Sequence, residues 1–301
     1  MVGFPDADPH DKESDSRMSD ERRYLSLREL QEVTLEILLE FDAFCKKHGI
    51  EYMLCGGTML GAARHQGFIP WDDDIDLMMM RDEYERLLDL APAVAQHPGR
   101  KLVSCRDRTF ARDYARYLCT EYGKDEEGVA DHDCPWLGID IFPIDFIPDD
   151  QSLFERQVKD RRPYVEAMVA CSTRFNAGSS FVKKWGRNVL RPFAKMYGAF
   201  RAAEKSRAVC MRYADSPQSD IAIVCGMYGT RERWPRSACH PLTTLSFEGH
   251  DLPVPHGYGT YLSRIYGADY MDVPPKEKQR PPHIRIWPAR DGARMRSGGI
   301  A

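Results

Sequence analysis

No run of apolar residues in this chain approaches the roughly 18 needed to cross a bilayer, and the polar, acidic stretch from Met1 to Arg23 lacks the apolar core of a secretion signal. The expectation is a protein that is not integral to a membrane and works in the cytoplasm. Nine cysteines are present, but none forms a CxxC pair. An odd count without such pairs points to reduced thiols rather than a disulfide framework or a zinc knuckle. Cys210, Cys225, Cys239 and His240 stand too far apart for a knuckle and read as core thiols. Positive charge is not in excess either: 42 basic side chains face 46 acidic ones, a formal charge of -4, which excludes a generally basic nucleic-acid binder. Internal repeats and low-complexity tracts are also missing. What remains is a chain of 301 residues, 43% hydrophobic, able to bury a full core in one elaborated domain or two small ones.

Residues 1–22, rich in Asp, Ser, Glu and Arg, read as a disordered leader. Ser26-Leu27-Arg28-Glu29 is a capping box. Leu30, Val33, Ile37, Leu38, Phe41 and Phe44 follow at helical spacing, and Gly49 is a stop signal. A core-facing helix of about 20 residues is expected there. Glu51–Cys55 reads as a strand, Thr58–His65 as a short helix and Ile75–Met80 as a second strand. A helix follows from Asp82 to about Ala95, then strands over 101–105, 114–122 and 137–142.

The densest chemistry lies between Gly56 and Leu77. The pair Gly56-Gly57 lets the backbone approach a phosphate closely, and the helix that follows offers its positive N-terminus to the same anion. Asp74 and Asp76, one residue apart on a strand, face the same side. Asp72 and Asp73 lie just before them. Four acids within five positions repel one another, so a cation is needed to keep them ionised together. Two carboxylates on one face can hold a divalent metal against a substrate phosphate.

A third carboxylate would complete such a site. Asp140 sits inside an apolar strand among Leu137, Ile139, Ile141 and Phe142, where an unpaired charge is costly. By spacing alone it is equally a metal ligand or an Asp bonded to backbone amides or an arginine; Asp145, after Pro143, reads as a turn cap and a second choice of ligand. Arg64 and His65 could grip phosphate oxygens or simply solvate the short helix. Asp72 and Asp73 could orient the ligands or act as a base. Two charge blocks stand apart. Residues 121–150 hold ten acids and one lysine, read as a solvated insertion around Asp131-His132-Asp133-Cys134. Residues 174–212 hold ten bases and one acid, interleaved with apolar side chains such as Phe181 and Phe193. That segment reads as a basic amphipathic helix, either an ordinary domain helix or a surface for an anionic membrane.

The stretch from Gly56 to Leu77 resembles the signature of the LicD family, phosphocholine-type transferases that include fukutin and fukutin-related protein. Gly138-Ile139-Asp140-Ile141-Phe142-Pro143-Ile144-Asp145 resembles a second block of that family. A third runs through Leu245–Gly249, Val254-Pro255, Tyr261-Leu262, Tyr266–Met271 and Pro274-Pro275. The likeness spans about residues 26–283. One departure is Gln66, which stands where a lysine is expected and so removes a cation near the phosphates.

The resemblance implies an α+β fold, a polymerase-beta-like nucleotidyltransferase core with a mixed sheet and a helical C-terminal elaboration. The element order read above agrees. Residues 23–150 would form the catalytic core, 151–283 an elaboration closing the cleft, and 284–301 a tail. The implied activity is Mg²⁺-dependent (or Mn²⁺-dependent) transfer of a phospho-alcohol such as phosphocholine from a CDP-linked donor. The acceptor would be a glycan, free or lipid-linked, such as lipopolysaccharide or teichoic acid. Asp74, Asp76 and Asp140 would hold the metal, Gly56, Gly57, Thr58, Arg64 and His65 the donor phosphates, and an Asp, Asp72 first, would activate the acceptor. The alternatives are a nucleotidyltransferase releasing pyrophosphate and a non-catalytic phosphate-binding module of envelope assembly. Nucleic acid is not expected as a partner; peripheral contact with the inner membrane face is expected through 174–212.

Overall fold

Helix α1 (Leu27–His48) starts and stops where the sequence signals it. The Ser26 hydroxyl accepts from the Glu29 amide and the Glu29 carboxylate accepts from the Ser26 amide, a reciprocal capping box, while Gly49 closes the helix in the left-handed region at φ 62°. Leu30, Ile37, Leu38, Phe41 and Phe44 are buried along one face, each worth roughly 1.5–3 kcal/mol of transfer from water. The computed structural model describes residues 23–126, 129–130, 134–173, 191–216, 218–279 and 282–289. The leader 1–22 and the Asp131–Asp133 cluster lie outside them, as do residues 174–190 of the basic segment.

After α1 come strand β1 (Met53–Leu54), helix α2 (Gly56–His65), β2 (Asp76–Met80), helices α3 (Arg81–Asp89) and α4 (Ala91–Val94), and strands β3 (Arg100–Val103), β4 (Ala115–Glu126) and β5 (Trp136–Phe146). Helices α5 (Gln151–Ser172) and α6 (Ala199–Cys210), short strands β6 (Asp220–Ala222) and β7 (Trp234–Pro235), the hairpin β8 (Leu242–Phe247) and β9 (His250–Pro255), helix α7 (Tyr258–Tyr266) and strand β10 (Ile284–Pro288) follow, with 3-10 turns among them. The main sheet runs β1-β2-β5-β4-β10, with β3 on β4 and β6 then β7 on β5. Among the described residues only the β2–β5 pair is parallel; its register sets Asp76 beside Asp140. The architecture is therefore α+β with a mixed sheet, consistent with a nucleotidyltransferase-like core.

Several elements differ from the sequence expectation. Strands β4 and β5 are long and take in 121–126 and 136–146, so these parts of the acidic stretch are sheet rather than a solvated insertion. Pro143 does not end β5, because β4 leaves that edge after Ile141 and β6 joins only at Asp145, so no ladder bond is lost on that side. Residues 284–288, expected in a tail, pair with β4 as β10. Asp145 caps no turn. It is 1% exposed, receives the Arg81 guanidinium through two bonds of 2.7 Å and does not line the cavity that holds the other carboxylates, which removes it as a metal ligand. Replacing Asp145 with Ala leaves the buried Arg81 with only the longer Glu85 contact at 3.3 Å and should cost about 3 kcal/mol. Urea melts of the variant check this, and a loss below about 1 kcal/mol would show the pair to be unimportant.

The hairpin β8–β9 turns through Glu248 and Gly249, both at positive φ (50° and 81°), as a two-residue turn of this twist requires. It docks on the far end of α2. The Glu248 amide donates to the Gln66 carbonyl at 2.9 Å, and its carboxylate takes the Phe68 amide at 3.2 Å and Arg28 at 3.1 Å. A Cβ on Gly67 would lie 2.3 Å from that carboxylate, so a side chain there would displace Glu248 from these contacts.

Candidate active site

A cavity of about 330 Å³ opens where the head of α2 meets the start of β2 and the middle of β4 and β5. Gly56, Gly57, Asp74, Asp76 and Asp140 all line it. Helix α2 begins at Cys55 with no side-chain cap, so its first-turn amides are left to whatever enters the cavity. Gly56 takes φ 49°, a conformation that glycine adopts without strain. The Thr58 hydroxyl accepts the Asp76 amide at 2.9 Å and the Cys55 amide donates to the Asp76 carbonyl at 3.0 Å, which locks the helix head against β2. Thr58 thus holds the frame of the site.

Arg116 on β4 stands opposite Asp140 and binds it through both carboxylate oxygens, at 2.5 and 3.1 Å. The arginine alternative left open by spacing is therefore present, and Asp140 still lines the cavity beside Asp76. Among the described residues the Asp74 and Asp76 carboxylates have no hydrogen-bonded cation. Burial first and then the neighbouring carboxylates push Asp74 up to about 6 and Asp76 well above the ordinary range. Asp72, against Gly57, is raised to about 7 for the same reasons. A divalent cation would relieve that repulsion, and the oxygen-only donor set suits a hard metal. The residues fit such a cofactor.

Asp73, Asp74 and His283 bring one ligand atom each within 4.8 Å of one another. Asp73 and His283 are already engaged with each other. The Asp73 carboxylate accepts the amides of His283 and Ile284 at 2.6 and 2.8 Å and pairs with the His283 ring at 2.9 Å, tying β10 to the site. That leaves Asp74 as the member free to bind a metal. The Asp73 bond raises His283 to about 9 from its ordinary 6.5. A group raised on folding stabilises fully below its unfolded pKa, and the contribution fades as pH rises through the folded one. In EDTA, melting temperature should thus fall between about pH 6.5 and 9 more steeply for the natural protein than for His283→Asn; parallel profiles would contradict this.

Arg64 and His65 are not brought to the cavity. They occupy the last turn of α2, eight to nine residues from its head and so about 12–14 Å along the axis. Arg64 donates to the carbonyls of Tyr270 and Asp272, both at 2.9 Å, and to the His65 ring at 3.0 Å; His65 packs edge-on against Trp71. Gln66 caps that same far end, so the absent lysine removes no charge at the helix head. The cations on the cavity wall are instead Arg116 and Lys124, with His283. Lys124, paired with Glu126 at 2.7 Å, is the one lysine of the acidic stretch; a charge interrupting Ala115-Arg116-Tyr117-Leu118 was the signal for Arg116. Tyr228, Tyr266 and Glu232 also line the wall, and Tyr266 lay within the third family-like block.

In the basic segment, Arg207 pairs with Glu85 at 2.7 Å and Arg212 with Asp160 at 2.8 Å, so part of its charge is spent inside the fold. Phe193 and Met196 are 63% and 82% exposed. Among the described residues no helix is long and apolar enough to cross a membrane, and the nine cysteines form no disulfide.

Comparison with known proteins is consistent with this geometry. Residues 49–170 match the family model described as LicD/FKTN/FKRP, nucleotidyltransferase domain. The lipopolysaccharide cholinephosphotransferase LicD of Haemophilus influenzae is 33% identical over 267 residues, covering 87% of this chain and 97% of that protein. The ribitol 5-phosphate transferases FKRP of mouse and human are each 62% identical over 29 residues, 10% of this chain and 6% of theirs. With an identity at that level along nearly its whole length, the chain belongs to the LicD family of phosphotransferases.

Proposed function

We propose that this protein transfers a phospho-alcohol from a CDP-linked donor to a hydroxyl of a cell-surface or lipid-linked glycan, with Mg²⁺, or Mn²⁺ in its place, as cofactor. The observation that carries the proposal is the convergence of Asp74, Asp76 and Asp140 with the uncapped head of α2 in one cavity. The names of the Haemophilus, mouse and human relatives support it, since each describes transfer of a phosphorylated alcohol.

Asp74, Asp76 and Asp140 would hold the metal, which supplies charge neutralisation across the donor diphosphate. The amides of Gly56 and Gly57 and the cations Arg116 and Lys124 bind the remaining phosphate oxygens. Arg116 also holds Asp140 in place. The acceptor oxygen attacks the phosphorus bearing the alcohol, the bond from that phosphorus to the bridging oxygen breaks, and CMP leaves with the electron pair. The hydroxyl proton passes to a carboxylate. Asp72, whose carboxylate stands beside Gly57 at the head of α2, suits that task by position. The elaboration after residue 151 contributes Tyr228, Glu232 and Tyr266 to the far wall and so closes the cleft.

Chromatography of the nucleotide product tests the reaction class. CMP from the CDP-linked donor supports the proposal, whereas pyrophosphate from CTP supplied in its place would establish nucleotidyl transfer, and no product from either would establish a binding module. We place the protein in the cytoplasm, docked at the inner membrane face through 174–212 with Phe193 and Met196 inserted. Co-sedimentation with anionic vesicles should fall steeply between 0.1 and 1 M salt as the Debye length shrinks from about 10 to about 3 Å. Equal binding to neutral vesicles would contradict that docking.

A further inference from the structure

The cavity continues from the metal-binding carboxylates to a wall formed by residues 223–232 and α7. Glu232 lies in that wall and is 2% exposed. Its Oε1 accepts the Tyr228 amide at 3.3 Å, but its Oε2, sealed from solvent, has no hydrogen-bond partner. The two arginines near enough to act on its charge are engaged elsewhere. Arg161 donates to Asp113, Ser206 and the Cys225 carbonyl, and Arg231 to the Ile265 carbonyl while its guanidinium covers one face of Tyr228. Burial pushes the Glu232 carboxyl up to about 7, outweighing the Tyr228 amide and the more distant pull of Arg231 and Arg161. A Cβ on Gly226 would lie 2.2 Å from Oε1, so this glycine makes room for the carboxylate at the wall.

Tyr228 and Tyr266 meet edge to face at 5.5 Å and 74° in the same wall. The Tyr266 hydroxyl stands over the head of α2, 3.7 Å from where a Gly56 Cβ would be, and an Asp76 oxygen is 3.5 Å from that same point. The ring pair therefore runs from the phosphate-binding end of the cavity to Glu232.

We infer that Glu232, Tyr228 and Tyr266 form the subsite for a cationic head on the transferred phospho-alcohol, so that the enzyme selects a quaternary or primary ammonium alcohol over a neutral polyol. This deepens the proposed function and rests on it. An ammonium group is attracted to aromatic faces and to a buried carboxylate at once. A polyol would leave Glu232 without a cation, to be buried as an unpaired charge or to take up a proton, the costlier arrangement. Sites that offer a buried charge or hydrogen bond discriminate far more than apolar pockets do.

Steady-state CMP release from CDP-choline and CDP-glycerol, in the natural protein and in Glu232→Gln and Tyr228→Leu, tests the inference. The natural protein should favour CDP-choline in kcat/KM by at least about tenfold, the scale of one desolvated cation–aromatic contact. In both variants CDP-choline should lose at least about tenfold more than CDP-glycerol, mainly through KM. Calorimetric titration with phosphocholine alone gives a readout without turnover: binding in the natural protein and none in Glu232→Gln supports the subsite even if neither donor yields CMP, an outcome that would sink the transfer reading instead. Equal losses for both donors, preference for CDP-glycerol, or undiminished phosphocholine binding in a folded variant would overturn it. If Glu232→Gln does not fold, Tyr228→Leu decides by the same ratio.

Discussion

Asp76→Asn should give a folded protein whose CMP release is lower by on the order of a thousandfold, since loss of a metal-holding carboxylate removes several kcal/mol of transition-state stabilisation at 1.36 kcal/mol per decade. Asp74→Asn should behave alike. The fold should survive because neither carboxylate is tied to a protein cation, and each stands among other acids that raise its affinity for protons. Removing one charge relieves that repulsion, so both variants should melt at or above the natural temperature in EDTA. A variant that retains full turnover would refute the metal assignment, and one that fails to fold would make the pair structural.

Asp140→Asn has the second large effect, and it should show in two measurements at once. Arg116 is buried and bound to both Asp140 oxygens, so the substitution weakens a buried pair and should lower the melting temperature. It should also reduce metal affinity and turnover by at least roughly a hundredfold, the upper range for a disturbed metal shell. Mg²⁺ titration of the residual activity separates the roles. Activity within tenfold of the natural protein, despite a lower melting temperature, would leave Asp140 as the structural partner of Arg116 alone.

Local signals in the sequence carried far. The spacing of Leu30, Ile37, Leu38, Phe41 and Phe44 and the Ser26–Glu29 box defined α1 almost to the residue; the Asp74-Ile75-Asp76 run marked the cavity, although the strand opens only at Asp76 and Asp74 lies in the approach to it. Arg64, His65 and Gln66 were misplaced because a ten-residue helix has two ends: closeness in sequence to Gly56 put them at the wrong one. The true wall cations were hidden because their positions follow from pairing between distant strands. Arg116 reaches the site only through the β4–β5 register, and His283 only because β10 returns to β4. Asp145 could not be told from a ligand without Arg81, 64 residues away. Glu232 had no local pattern at all, since its meaning comes from an unpaired oxygen in a cavity.

The most direct measurement is Mg²⁺ titration into EDTA-treated protein held with CDP-choline, CDP-ethanolamine, CDP-glycerol and CDP-ribitol in turn, with and without a glycan acceptor, while CMP is followed by chromatography. CMP that appears only with the metal, rises with acceptor and is lost in Asp76→Asn is the result expected. CMP release indifferent to EDTA, or release of the free phospho-alcohol with CMP retained on the acceptor, would contradict the account.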